Sequence, residues 1–410
     1  MDDGENRTIH VVPAIAAVDP AAWDACANPD AATYDPFVSH AFLAALETAG
    51  TTGERAGWIP QHVTVENASG ALVGAMPLYV KTHSQGEFVF DHAWADAYRR
   101  AGGRYYPKLQ CAVPFSPVPG RRLLVRPGPE ADATARLLAR GAVTLAERIG
   151  VSSLHVTFLR EPEWRLLGSM GFLMRTGQQF HWTNHGYPTF DDFLATLASR
   201  KRKAVRKERE TARAAGLTVE TVTGAAISES HWDEFFAFYT DTGDRKWGRP
   251  YLNRRFFSLL GEAMADRCLL VLARRDGRAI AGALNLIGGD CLYGRYWGAV
   301  EHHPCLHFEL CYYQAIEFAI ARGLARVEAG AQGEHKLARG YLPVTTYSAH
   351  WIADPGLRSA VAHFLDHERA VIAEINADLE ALGPFRRGPP GGGGSGGNGD
   401  AGPAGANEGD

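Results

Sequence analysis

The chain of 410 residues has only six cysteines, and no two of them form a CxxC pair. Scattered single thiols exclude a disulfide scaffold and a zinc ribbon, and they fit a reducing, cytoplasmic setting. Long hydrophobic runs are missing too, since no apolar stretch approaches the roughly 20 residues of a membrane span. The opening MDDGENRTIHVV is polar and acidic, without the apolar segment of a secretory leader. Net charge is slight, −4 with a pI near 6.5, which excludes a globally basic nucleic-acid binder but allows a local basic patch. Outside the glycine-rich C-terminal tail there is no GxSxG elbow, no GxxxxGK[ST] phosphate loop, no HExxH and no GxGxxG.

What remains is 46% apolar and 21% charged, an ordinary globular balance, over a length that implies two domains or one duplicated unit. Ser39 caps a helix through HAFLAALETA that Gly50 stops. The strand runs QHVTVE and ALVGAMPLYVKT follow, turned at Asn67–Gly70, then a helix from Ala131 and the strand SSLHVTFL. The second half repeats this order: CLLVLARR turns at Asp276-Gly277 into AIAGALNLIGG, then CLYGRYWGAV, a helix from about Cys305 to Gly323, and RVEAGA. Letters repeat as well. SGALVGAMPL lies over GRAIAGALNL, and ERIGVSSLHVTF over IARGLARVEAGA, with Gly150 over Gly323. The copies divide near His185–Pro188, giving units 8–186 and 187–384 and a flexible Gly-rich tail over 385–410.

Four stretches carry candidate chemistry. Thr189 to Gly216 reads as one helix bearing Arg200, Lys201, Arg202, Lys203, Arg206, Lys207 and Arg209, either a solvated face or a surface for the phosphates of an anionic ligand. Asp91 to Pro117 holds Asp91, Trp94, Tyr105, Tyr106 and Lys108 in a Gly- and Pro-interrupted excursion that suits a binding cleft. GAQGEHKLARGYLP places Glu334, His335 and Lys336 just beyond a strand, where α/β sheets bind ligands. In HHPCLHFELC, Pro304 opens a helix whose spacing sets His307 and Cys311 on one face and Glu309 on another. That division does not converge on a metal ion, and the cysteines read as packing residues.

YGRYWG, LHFELCYYQ, GAQGEHKLARG and DHAWADAYRRAGGRYYPKLQCAVPFSPVPGRRLL together resemble the bacterial Fem-like N-acyltransferases, the peptidoglycan biosynthesis/recognition group of the GNAT superfamily. The resemblance runs from about Ala31 to Asp378, and SRKRKAVRK is similar to the S-K-x-R-K segment that opens the second half of such proteins. It implies an α/β fold of two tandem GNAT-like domains, with mixed sheets flanked by helices. It also implies transfer of an acyl or aminoacyl group to an amine, from acyl-CoA or aminoacyl-tRNA as donor substrate, with a cell-wall precursor as one acceptor and no tightly bound cofactor or metal. The GNAT pyrophosphate loop [QR]xxG[GA] is absent from its expected junction, which reads GAVEHHPCLHFE. Position in the fold assigns the roles. Asp91, Trp94, Tyr105, Tyr106 and Lys108 would face Arg295, Tyr296 and Trp297 across the amine, with Glu309 on the wall. Glu334 or His335 would take the proton, while His307, Lys336 and backbone N–H groups would hold the oxyanion. The alternative is a non-catalytic recognition protein that uses the same cleft for a precursor or tRNA.

Overall fold

The computed structural model describes residues 7–214, 216–246, 250–330 and 333–386, without the side chains of 244–246 and 334. In the first half, β1 (Thr8–Val12) precedes a bent hairpin. Its first arm is β2 (Trp58–Pro60) and β3 (His62–Glu66), and its second is β4 (Leu72–Met76) and β5 (Leu78–Lys81). The run ALVGAMPLYVKT is therefore two strands rather than one. Pro77 has no N–H to give a ladder, so the second arm breaks there opposite the Pro60-Gln61 break in the first. β6 (Lys108–Cys111), the short β7 (Leu124–Val125), the helix Ala131–Ile149 and β8 (Ser153–Leu159) follow, with β8 parallel to β6. Gly150 ends that helix at φ 67, a left-handed cap that glycine adopts without steric penalty. The half closes with β9 (Leu173–Thr183).

The second half repeats the order. β10 (Thr218–Thr223) borders the hairpin β11 (Cys268–Arg275) and β12 (Arg278–Ile287), which turns at Asp276 and Gly277, both at positive φ. β13 (Cys291–Ala299) leads to a helix over residues 306–321, then β14 (Arg326–Glu328) parallel to β13, and finally β15 (Leu342–Ile352). Gly323 at φ 64 occupies the place of Gly150. The chain is thus an α/β protein of two tandem GNAT-like units.

The units do not close separately at 186/187. β9 of the first half pairs with β14 of the second, β15 pairs with β8, and β9 and β15 pair with each other. The result is one eleven-stranded sheet in the order β10-β11-β12-β13-β14-β9-β15-β8-β6-β5-β2, beside a four-stranded sheet β1-β3-β4-β7. The helix Pro355–Ala381 packs across β9 and β15. Residues 385 and 386, expected in the tail, still belong to the body: Phe385 bridges Leu197, and Arg386 N–H donates to the Thr196 carbonyl.

Two further local expectations need correction. The segment from Thr189 is two helices, Phe190–Thr196 and Ser199–Arg213, because Leu197 and Ala198 are extended and Leu197 is buried in the core. Thr189 caps the first by accepting from the Asp192 N–H, and Gly216 stands at φ 68 after the second. Pro304 lies before its helix, which starts at Leu306 after Cys305 in a left-handed conformation.

The helix Glu229–Lys246 packs on β13 so closely that a Cβ at Gly298 would lie 2.1 Å from the Phe238 carbonyl oxygen. Gly298→Ala should therefore lower unfolding free energy by about 1–3 kcal/mol, as overpacking does. Urea denaturation followed by far-UV circular dichroism measures the loss.

Candidate functional site

β13 and β14 pair over three residues, Cys291–Tyr293 against Arg326–Glu328, and then part. Beyond Tyr293 the strand β13 runs on to Ala299 while the chain after β14 turns away at Gly330, φ 78. A wedge opens between them at the carboxyl ends of parallel strands. It holds a cavity of about 100 Å3 lined by Asn285, Arg295, Trp297, His307, Cys311 and Ala329, among others.

The ladder between β12 and β13 slips at this point. Asn285 faces Gly294 and Leu284 faces Tyr296, so Arg295 is the extra residue of a β-bulge. Bulges re-aim side chains and are frequent beside active sites. Arg295 is half-buried with no carboxylate within salt-bridge distance among the described residues, and its Nε has no hydrogen-bond partner there. Its Nη2 reaches the Phe115 carbonyl at a long 3.5 Å, and Tyr296 Oη donates to the same oxygen at 3.3 Å. Burial, the largest influence, lowers the guanidinium pKa.

The opposite wall is the helix over 306–321, which widens into a π turn at Glu309–Tyr313. Such turns occur often at functional sites. His307, Cys311 and Tyr312 face the cavity, and the His307 ring packs on Trp297 (5.2 Å) and Tyr312 (5.4 Å). The short helix Glu334–Arg339 lies behind two lining residues, touching Tyr312 through His335 and the Ala329 carbonyl through Lys336. Lys336 is 2% exposed, and its Nζ donates to the Ala329 (2.6 Å) and Gly330 (3.0 Å) carbonyls at the strand end. Burial, with a smaller push from the Arg295 charge, brings its pKa down to about 8. His335 is exposed and shares a 2.9 Å hydrogen bond with Tyr312 Oη; burial and then the Arg339 and Lys336 charges lower its pKa. The Glu334 side chain lies outside the described residues.

Glu309 is not on the cavity wall. It is 1% exposed and chelates Arg209, Oε1 to Nη2 at 2.8 Å and Oε2 to Nε at 3.0 Å. Arg209 also binds Glu317, so one member of the expected basic surface is an interior ion pair holding helix Ser199–Arg213 to the helix over 306–321. Arg206 pairs with Asp191 at 3.1 Å, and Lys203 and Lys207 are exposed. Arg202 reaches back to the Leu197 carbonyl at 3.5 Å. Arg200 and Lys201 line a second cavity of about 300 Å3 with Glu208 and Arg339, which are themselves paired at 2.7 Å.

The first-half residues come together, but in the interior rather than across from Arg295. Lys108 is fully buried and bonds Asp91, Glu87 (2.7 Å) and Ser84 (2.8 Å). Tyr105 Oη donates to Asp91 at 2.8 Å and meets His155 Nε2 at 3.2 Å; His155 in turn meets His350 at 2.7 Å. Burial would raise the Asp91 pKa, yet the adjacent Lys108 charge outweighs it and holds the carboxyl well below the usual range. Trp94 packs edge-on to His350, and Tyr106 bonds Ser84 at 2.7 Å. The expected cleft is therefore two sites linked through Phe115. Its carbonyl meets Arg295 and Tyr296, while its ring packs on Trp58, over which Lys81 sits at 3.9 Å. Sequence reading missed Lys81, Glu87, His155 and His350, and took Cys311 as packing although its spacing from His307 already placed it on the cavity face.

Among the described residues, no group of three or more His, Cys, Asp or Glu side chains is arranged to hold a metal ion. No helix there is long and apolar enough to cross a membrane.

A duplicated unit with a splayed pair of parallel strands defines the tandem GNAT-like class. Residues 14–387 match the FemAB-like family, described as peptidoglycan biosynthesis/recognition, and the chain belongs to that family. Among solved structures it is similar to FemX, with 13% identity, TM-score 0.52, and coverage of 84% of this chain and 98% of that one. It is also similar to the C-terminal domain of a putative lysylphosphatidylglycerol synthetase from Agrobacterium fabrum, at 9% identity, TM-score 0.50 and coverage of 88% and 98%. These likenesses establish the fold. No curated protein matches the chain.

As an interior anchor, Glu309 shares Arg209 with Glu317, so Glu309→Ala leaves the guanidinium one carboxylate and should cost about 1–3 kcal/mol of stability. Denaturant midpoints measure this. Lost turnover in a variant of unchanged midpoint would instead return Glu309 to the ligand site.

Proposed function

We propose that the protein is an acyl- or aminoacyltransferase whose reaction takes place in the wedge between β13 and β14. One observation carries this reading: a desolvated Arg295, without an ionic partner among the described residues, is aimed by a bulge into a cavity lined by Ala329, to whose carbonyl the buried cation Lys336 is bonded. Two cations beside one wedge suit a ligand that is anionic or becomes so. The tetrahedral intermediate of acyl transfer develops such a charge on its carbonyl oxygen.

In this reading the donor is a thioester or tRNA ester, acyl-CoA or aminoacyl-tRNA, and its carbonyl lies in the wedge. Lys336 spends two of its three N–H bonds on the Ala329 and Gly330 carbonyls, leaving a third for the oxyanion. His307 supplies a further donor from the opposite wall. Glu334 or His335, on the helix behind the wedge, takes the proton from the attacking amine. Arg200, Lys201, Arg202, Lys203 and Lys207 form the surface toward phosphates of the donor. Arg295, Tyr296 and Trp297 bind the acceptor side, and a cell-wall precursor carries both the amine and the carboxylates that Arg295 would recognise. Holding ester and amine together supplies on the order of 7–11 kcal/mol of the barrier reduction. Binding without turnover would assign the same wedge to recognition of a precursor or tRNA.

Separate binding assays with acyl-CoA and aminoacyl-tRNA identify the donor. Lys336→Ala should reduce turnover roughly 100- to 1,000-fold, the scale of a lost oxyanion donor. Lys336 is a cation below its pKa of about 8 and neutral above it. Its contribution is therefore lost as pH rises through about 8, and a kcat–pH profile should show that fall in the wild type and not in Lys336→Arg. Replacing Lys201, Lys203 and Lys207 with Glu should weaken donor binding and flatten its salt dependence. Unchanged affinity at every salt concentration removes the basic helix from the donor site.

A further inference from the structure

We propose that the protein self-associates through its C-terminal helix, Pro355–Ala381, with two copies pairing antiparallel along an apolar stripe. The helix buries Leu357, Val361 and Leu365 against the body, but Phe364 (45% exposed), Val371 (37%), Ile375 (41%) and, at the C-cap, Leu382 (65%) stand in solvent. At 3.6 residues per turn these four lie within about 20° of one line, so they form a single stripe and not scattered exposures. A contiguous exposed apolar stripe on a globular protein marks a contact surface.

A second copy is the occupant the residues specify. The stripe positions are spaced seven, four and seven, which reads the same in either direction. An antiparallel copy therefore sets Phe364 against Leu382 and Val371 against Ile375, and the same two contacts recur across the twofold axis. Charge follows the same symmetry. On the flank away from the body, the N-terminal half of the helix shows His363 and His367, and the C-terminal half shows Glu374 and Asp378, all exposed. Antiparallel helices bring the same flank of each together, end for end. His367 then falls against Asp378 of the second copy, with Glu374 about a turn away.

The helix dipole points the same way. There is no basic residue in the last turn and no acidic residue in the first, so the acidic C-terminal half opposes its own dipole. Alongside the positive N-terminal end of an antiparallel partner, the same carboxylates become favourable. This chain's own tail is not suited to cover the stripe, since residues 388–410 contain no large apolar side chain. The helix is about 40 Å long, and exposed Phe90 extends the patch. The Phe364 ring lies 6.4 Å from Trp94, and Arg175 bonds both the Phe90 carbonyl and Glu368. That extent is compatible with an interface in the 1,200–2,000 Å2 class of stable dimers.

Sedimentation equilibrium of the full chain at micromolar concentration tests the pairing. The expected mass is twice the 44.5 kDa of the chain, falling to one copy in Val371→Asp with Ile375→Asp at unchanged circular dichroism. Asp378→Lys should weaken association at least tenfold, and adding His367→Glu should restore it, since the pair is then reversed. That rescue separates a specific antiparallel contact from general stickiness. A monomeric wild type overturns the proposal, as does a double-Asp variant that remains dimeric. Flotation of a monomeric wild type with anionic lipid vesicles would assign the stripe to membrane surfaces instead and would equally overturn it.

Discussion

Strands β9 and β15 pair antiparallel over nine residues, Leu173–His181 against His350–Leu342, and everything else is arranged around that ladder. Each strand comes from one half of the chain and borders a strand of the other half, β14 or β8. Neither half alone has a complete sheet: without its neighbour, β14 and β8 would each expose an unpaired edge in the middle of the molecule. The exchange makes the two units one folding body. It also fixes β14 from one side, so that β13 can diverge from the other. The wedge depends on that asymmetry.

Buried cations are met in two ways, by carboxylates as at Arg209 and Lys108 or by backbone carbonyls as at Arg122 and Lys336. Arg209 is held by Glu309 and Glu317, and Lys108 by Glu87 and Asp91. These clusters tie separate elements, and each offsets the desolvation penalty of its cation by supplying carboxylates at hydrogen-bond distance. Arg295 is satisfied in neither way: among the described residues it has no carboxylate, one long carbonyl contact beside aromatic rings, and an unbonded Nε. A natural core tolerates such a defect where a ligand completes it. The contrast with Arg209, not burial alone, singles Arg295 out.

Much of this was legible in the chain because it is local. Period-two runs, the Asp276-Gly277 turn, the Ser39 and Thr189 caps and the glycines at 150 and 323 each act within a few residues, and the duplication showed in their order. The strand exchange was not legible, since which strand neighbours β14 is decided by distant pairing. The bulge at Arg295 exists only in the register between β12 and β13. Glu309 looked like a site residue because its partner stands 100 positions away at Arg209. Asp91 and Lys108 read as cleft residues because a lone charge is rarely buried; opposite charges brought together can be.

The two units also show why one wedge is open. In the first, β6 and β8 pair through Leu109–Cys111 and Leu154–Val156, as β13 and β14 do. There, however, the chain after β6 returns into the gap: Gly120 bridges Leu159, and Arg122 is fully buried. Arg122 donates from Nε to the Thr157 carbonyl at 2.9 Å and from Nη2 to the Val118 carbonyl at 2.5 Å. Its Nη1 donates to the Arg121 carbonyl at 3.0 Å, so all three nitrogens of that guanidinium are bonded to backbone within the fold. In the second unit the corresponding end is capped by Lys336, which bonds the Ala329 and Gly330 carbonyls but leaves the wedge beside Arg295 unfilled. The two units thus hold equivalent junctions, one filled by its own chain and one left open. The plugged copy contributes Phe115, whose carbonyl steadies Arg295 and Tyr296, so the closed cleft helps to position the open one.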